Sequence, residues 1–303
     1  MGKYIAKRIL ISIPVLIGVV FITFVMLNVV PGDPVTVMMR DHIKPELIAG
    51  FRKSMNLDDP MLVRFGKYLL NAVHGDFGQS YKFQRPVNSL IFEMFPNTVK
   101  LAICAALVSW LIGIPVGVLS AVKQNTLADR FSMGFALFGV SMPTFFIALI
   151  LQYLFQRVLP VSGFNSWQCM ILPSIVLGWS AAGSIARLTR SSLLGVLKSD
   201  YIRTARAKGL QELLVVFRHG LKNSLLPVIT MMAIQIADLM SGAVITETVF
   251  GIPGIGRLSV TAIENRDMPL LQGTVVFITM IIILGNLVAD ILYSVVDPRI
   301  RVR

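Results

Sequence analysis

The chain has 303 residues, 55% hydrophobic and 15% charged, with a formal charge of +12. Its mean hydropathy of +0.73 is that of an integral membrane protein rather than a soluble domain. The basic excess sits in loops between apolar runs, which points to membrane topology and away from nucleic acid.

Lys3, Lys7 and Arg8 precede an apolar run from about Ile9 to Val30, long enough at 1.5 Å per residue to cross a bilayer of roughly 30 Å. The run ends without a small-residue cleavage site, so it reads as a retained transmembrane helix with its N-terminus inside. Residues 31–97 turn polar and mixed and read as a small extracytoplasmic domain. Helical periodicity spans Pro45 to Met55 and Met61 to Val73, with Asp58 or Asp59 placed to cap the second.

A five-helix core is expected over residues 98–295. The second span runs from about Thr98 to Val122. The third, Phe131 to about Val158, carries a kink at Ser141-Met142-Pro143. The fourth, about Cys169 to Leu188, leads into a polar loop over residues 189–225. After Pro227 a fifth span reaches about Thr246, and Val249 to Pro269 is an outside segment rich in Gly and Pro, surface-lying or re-entrant. The sixth span covers about Leu271 to Val295, and residues 296–303 form a basic inside tail. The expected fold is therefore an all-α integral membrane protein of six transmembrane helices, with a small helical extracytoplasmic domain between the first and second. In the inside segments Lys and Arg far outnumber the acids Asp129, Asp200, Glu212 and Asp297, which agrees with both termini being cytoplasmic.

Tyr201 to Pro227 is the one basic interruption in the apolar C-terminal half. It carries Arg203, Arg206, Lys208, Arg218 and Lys222 against Glu212, and Leu210, Leu213, Leu214, Phe217 and Leu221 recur at helical spacing. Gly209 divides it, so a helical hairpin on the cytoplasmic membrane face is expected. That pattern suits a lipid-anchored helix, a topology-setting loop or a docking site for a soluble partner.

Chemistry has little to rest on. The pairs Gly2-Lys3 and Gly66-Lys67 are each followed by tyrosine, so no GxxxxGK[ST] loop is present to cradle ATP phosphates. His42, His74 and His219 are dispersed, and Cys104 and Cys169 lack metal-ligand spacing. No catalytic residue and no metal site are assigned. Asp238 and Asp290 fall within spans, where a charge is costly and faces the bundle interior or water. Asp290, beside Asn286, suits an interhelical hydrogen bond. Asp238, Ser241 and Glu247 are candidates for the pathway or gate, as are Pro253 and Gly254, whose turn is expected to need φ freedom at the glycine. Gly139, Ser141, Gly178 and Gly183 are expected at close helix contacts, and Phe138, Phe145 and Phe146 at lipid or core packing.

The Tyr201–Pro227 stretch resembles the EAA-type coupling loop of ABC importer permeases, in the branch that carries peptides and nickel. Arg203-Thr204-Ala205 stands at the Glu-Ala-Ala position, Gly209 at the glycine, and Leu226-Pro227 at the closing Leu-Pro. The acidic first residue is missing, so glutamate-based contacts do not carry over. The likeness extends through Leu27 to Pro34, Asn56 to Pro60, Gly75 to Gly78, Leu172-Pro173, Phe250 to Leu258 and Asp297 to Arg301. It implies an importer of the bacterial or archaeal cytoplasmic membrane, with a sister permease, two cytoplasmic ATPases that bind ATP and Mg, and an extracytoplasmic solute-binding protein. It further implies a coupling helix seated in an ATPase groove, formed by Arg203, Thr204, Ala205, Arg206, Ala207, Lys208, Gly209, Leu210 and Glu212. In that role small Ala205, Ala207 and Gly209 would permit close approach, and the basic residues would set register. Peptides or a nickel or other metal chelate would be the cargo. An ion-coupled transporter or channel acting without ATPases is the competing reading, although no internal repeat supports it.

Overall fold

Hydrophobic runs of this length can satisfy their backbone in lipid only by closing it into helices. The computed structural model describes residues 2–29 and 59–296. The expected helix from Pro45 to Met55, the Pro31–Pro34 turn and the terminal Asp297–Arg301 motif lie outside the described residues. Eleven helical elements organise the described chain, and among the described residues the only β-type pairing is an isolated bridge between Gln79 and Pro86.

Helix α1 covers Gly2–Val29 and α2 covers Met61–Val73, the latter with the expected bounds. Asp58 lies outside the described residues, and Asp59 does not cap α2. Its N-cap is Pro60, and Asp59 instead takes an ion pair from Lys67 at 2.6 Å. Helix α3, Val87–Val122, begins well before Thr98 and continues through Pro96 and Pro115. The polar residues that made 87–97 look like loop lie on a helix whose Val87, Leu90 and Ile91 enter a core with Phe77, Ile255, Leu258 and Leu270.

The third span is broken rather than kinked. Helices α4, Leu127–Ser141, and α5, Thr144–Phe155, meet at 104° around Met142 and Pro143. Proline has no N–H for the ladder and its ring crowds the preceding turn, which favours a break at this point, although α3 runs on through Pro96 and Pro115. Both halves stay on α6, Ile171–Leu197, where Phe135 and Phe138 lie on Trp179 at ring separations of 5.0 and 5.7 Å. Phe145 and Phe146 remain exposed.

Helix α7 is Asp200–Ala207, and the continuous helix Glu212–Met240, with a π-helical stretch at Val215–Leu221, is α8. Two short helices, α9 at Val244–Val249 and α10 at Ile255–Glu264, precede α11 at Met268–Val296. Four helices, α3, α6 (with its leading 3-10 turn), α8 and α11, are long and apolar enough to cross a membrane, and the bent α4–α5 pair raises the number to five. Helix α1 adds an apolar stretch at Leu10–Met26, shorter than those spans among the described residues.

The central contact is α3 against α6, and it rests on missing side chains. A Cβ on Gly117 would stand 2.6 Å from the Ala186 carbonyl, and one on Gly178 of α6 would stand 2.7 Å from the Ala105 carbonyl. The two backbones approach closely because each helix brings glycine to the seam, the usual route to tight packing where lipid offers no hydrophobic drive. Gly139 and Gly183 serve the α4–α6 contact in the same way, whereas Ser141 is exposed and donates to the Leu137 carbonyl.

Candidate functional site

Two regions hold the candidate residues, one at each end of the bundle, and a third lies midway along α8. At the basic end, Ser199 turns the chain out of α6, and α7 seats Ile202 and Ala205 against Val215, Val196 and Leu197. Ala205 is therefore consumed in fixing α7 to its own chain and does not present the small surface expected of it. Gly209 has φ +78°, a left-handed conformation that ends α7 at little cost only for glycine. Beyond it Arg206 reaches Glu212 with two hydrogen bonds, Nε to Oε2 at 3.0 Å and Nη2 to Oε1 at 2.6 Å, which fold the two arms together.

The second arm is not a separate surface helix. From Glu212 it runs straight into the α8 span, and Pro227 sits inside that helix rather than at its entry. Exposed on this turn are Arg203, with a loose 3.6 Å pair to Asp200, Thr204, Ala207, Lys208 and Leu210, and then Leu213 and Phe217, and the Arg206–Glu212 clasp is itself exposed among them. This is a basic and apolar surface of single-turn width.

Directly behind it, Asp129 at the start of α4 is a buried carboxylate with four donors. Arg190 of α6 contributes Nε at 3.1 Å and Nη2 at 2.9 Å, Asn125 its N–H at 2.9 Å, and Ser120 of α3 its hydroxyl. Val118, Ala121, Leu193 and Val216 close the apolar layer beside it. The exposed turn packs directly on α6 and α8, and the Asp129 network in turn joins α6 to α3 and α4.

At the opposite end, Glu247 of α9 is fully buried. It accepts from the Thr98 hydroxyl at 2.8 Å and the Arg257 N–H at 3.0 Å, while the same Thr98 oxygen accepts the Ile255 N–H at 2.9 Å. The carboxylate thus caps the N-terminus of α10, where negative charge is favoured. Gly254 is required here, but not for turn freedom: its φ is −117°, and the left-handed residue is Gly251 at +68°. A Cβ on Gly254 would lie 2.5 Å from both Glu247 oxygens. Pro253 accepts from Asn97 at 2.8 Å, so Glu247, Pro253 and Gly254 do converge, on α3. Phe250 and Ile252 are fully buried against Leu101, Ile147 and Leu172, which makes this segment core rather than surface.

A third buried acid, Asp267, escaped sequence reading. It accepts from Ser80 Oγ at 2.5 Å and the Lys82 N–H at 3.0 Å, and it caps α11 through the Leu270 N–H at 3.3 Å. Burial, with Asp267 nearby, pushes the Tyr81 hydroxyl up to about 12.

Residues 113–302 match the family described as binding-protein-dependent transport system inner membrane component, and residues 1–102 match the N-terminal part of such membrane components. The chain belongs to this family. The glutathione transport system permease protein GsiC of Salmonella paratyphi A (strain ATCC 9150 / SARB42) is 40% identical over 304 residues, covering 99% of each chain. The dipeptide transport system permease protein DppB of Escherichia coli (strain K12) is 39% identical over 336 residues, again 99% of each. Among solved structures, the MetNI methionine ABC transporter in an inward-facing form shares the fold at a TM-score of 0.60 and 18% identity, over 69% of this chain and 96% of that one. The chain is thus a multi-pass bacterial ABC importer permease, a membrane subunit that is not itself catalytic and that associates with ATPase and binding-protein partners.

Within the permease, the remaining candidates separate sharply. Asp290 pairs with Arg8 of α1 at 3.3 Å, an interhelical tie as expected. Gln235, buried in α8, accepts from Ser109 Oγ at 3.2 Å and Trp110 Nε1 at 3.1 Å and donates to the Ala181 carbonyl at 3.1 Å, joining α8 to α3 and α6. Asp238 lies less than one turn further along α8 and is exposed, and Ser241 half-covers the break that follows, its hydroxyl on the Asp238 carbonyl at 2.6 Å.

Proposed function

We propose that the chain forms one half of the translocation pathway of an ATP-driven importer for peptides or for a nickel or other metal chelate, opposite a sister permease and with both termini in the cytoplasm. The observation that carries this is the likeness to glutathione and dipeptide permeases over 99% of the chain.

The basic turn from Arg203 to Leu210 is the natural dock for a cytoplasmic ATPase. Arg203 and Lys208 give it charge, Leu210, Leu213 and Phe217 give it apolar contact, and an acidic-rimmed groove is the complement. Ala205, buried behind that surface, and the exposed Arg206–Glu212 clasp within it hold its shape. Movement of the ATPases would carry α7 together with the cytoplasmic ends of α3, α4, α6 and α8, because the Asp129–Arg190 pair and the Val118–Leu193–Val216 layer make these one packed unit. Substrate is moved without chemistry on it, and ATP and Mg belong to the partner subunits.

The test reverses charge on the dock alone, with Arg203→Glu and Lys208→Glu in the full complex. Both residues are exposed, so the permease should fold while ATPase co-purification and uptake fall together. Uptake that survives without any ATPase bound would overturn the reading in favour of a self-sufficient transporter.

A further inference from the structure

Every acid that the structure buries is saturated by donors, with one contrast in the same apolar setting. Asp238 lies in the α8 span, its side chain is exposed on the isolated subunit, and no described donor or cation meets its carboxylate.

Its depth follows from the helices. The preceding residue, Ala237, packs directly on Gly285 of α11. Gly285 is about 25 Å along α11 from Met268, and Ala237 about 22 Å along α8 from Lys222, at 1.5 Å per residue. The contact is therefore about equally far from Lys222 at the basic end and from Met268 at the opposite end, which places it near mid-depth although it lies within the last turn of α8, with the Arg8–Asp290 pair about one and a half turns nearer the basic end.

Its direction follows from helical spacing. Asn223, Pro227, Thr230, Ile234, Asp238 and Ser241 share one face of α8. Ser224, Val228 and Gln235 are buried to one side of that face and Ala237 to the other, so Asp238 is exposed between two packed seams. A charged side chain facing lipid at mid-depth costs about 2.5–3.5 kcal/mol even on the most permissive scale. A water-filled pathway is the compatible neighbour.

Its chemistry follows from the helix end. Immediately after Asp238 the helix stops at Met240, and Gly242 at φ +109° turns the chain against Gly256 of α10. A helix C-terminus in mid-membrane presents carbonyls and the negative end of the macrodipole, so dipole and carboxylate favour the same kind of ligand, a cation.

We infer that Asp238, with the carbonyl end of α8 around Ser241, is a pathway site for the ammonium group of the transported molecule. The inference rests on the peptide-importer reading, since an N-terminal ammonium is what glutathione and peptides share. The site accepts the ammonium in passage by a charge-assisted hydrogen bond and gives no handle to an uncharged terminus.

The experiment uses the whole importer in proteoliposomes, with glutathione and alanine peptides of two to five residues as probes. Asp238→Asn keeps the size and removes the charge. Its loss should lower uptake about tenfold to a hundredfold, the equivalent of one charge-assisted hydrogen bond, and raise the ATP consumed per peptide imported. Asp238→Glu should recover most of the uptake. Wild-type uptake of these peptides with an Asn variant equally active overturns this inference alone. So does an Asn variant that no longer holds its sister permease, which would make Asp238 an intersubunit ion-pair member. A wild-type complex that hydrolyses ATP but imports none of the probes overturns the peptide reading itself, and this site with it.

Discussion

Replacing Thr98 by valine isolates the knot at the end opposite the coupling turn. The side chain is almost completely buried, and valine preserves its shape while removing the hydroxyl. Two partners then lose their contact, the Glu247 carboxylate that accepted at 2.8 Å and the Ile255 N–H that donated at 2.9 Å. Each buried group left unsatisfied costs about 1–3 kcal/mol. Because the two share one network, about 2–5 kcal/mol is expected in place of a strict sum. For a chain of this size that is a fall on the order of 3–8 °C in the thermal midpoint. Thr98→Ser supplies the control, since it keeps the hydroxyl and gives up one methyl, worth about 1 kcal/mol. The assay is loss of monodisperse complex on heating, followed by size-exclusion chromatography. If valine and serine variants melt within about 1 °C of each other, the hydroxyl is not holding α9 to α10 and the account of this motif fails.

Three further substitutions probe the remaining contacts. Gly117→Leu drives a side chain into the Ala186 carbonyl and Thr189, costing about 1–3 kcal/mol or more, whereas Gly195→Ala, with nothing within 4 Å, should leave purified yield unchanged. Arg190→Met strands the Asp129 carboxylate and should cost about 3–5 kcal/mol, and adding Asp129→Leu should recover part of the lost thermal stability by removing the stranded charge. Gly209→Ala must hold φ +78° against its Cβ, a strain of about 1–2 kcal/mol, so ATPase co-purification should weaken, and Gly209→Asn should weaken it less.

Apolar run length was enough to locate α1, α6 and α11, because lipid demands a closed backbone over that length whatever the neighbours are, but it set the fifth span too late, since α8 starts at Glu212 and ends at Met240. It misplaced the start of α3, since Asn88, Glu93, Pro96 and Asn97 look like loop until Leu90 and Ile91 are seen entering the Phe77–Leu270 core. Pro143 announced a disturbance, but whether α5 continues or turns by 104° depends on what α6 offers it, and nothing local encodes that. The basic turn was legible as an amphipathic stretch, while the burial of Ala205 and the Arg206–Glu212 clasp across Gly209 depend on how the two arms fold back. The glycines of Phe250 to Leu258 were read as turn makers. At Gly254 the reason is the Glu247 carboxylate standing where a side chain would be, and at Gly256 it is first the Val244 backbone, partners visible only once α9 is placed on α10. Asp267 carried no local pattern at all, as its main partners, Ser80 and Lys82, lie far back in the chain.

The polar groups inside this permease then divide by purpose. Asp129, Gln235, Glu247 and Asp267 are each met from two or more elements, so each fixes how helices stand against one another. Asp238 is met by none of the described donors, yet it shares α8 with Gln235 and with the Glu212 end of the coupling turn. From Glu212 to Asp238 the helix rises about 39 Å. A tilt of about 5° imposed at the coupling end would displace Asp238 by about 3 Å, the length of one hydrogen bond. Gln235, tied to α3 and α6 less than a turn away, sets the point about which such a tilt must pivot or the contact that must break. Loosening it with Gln235→Leu, which keeps the volume and removes both bonds, should therefore alter the ATP consumed per molecule transported. Undiminished coupling in that variant would show that α8 moves only together with α3 and α6, as one block.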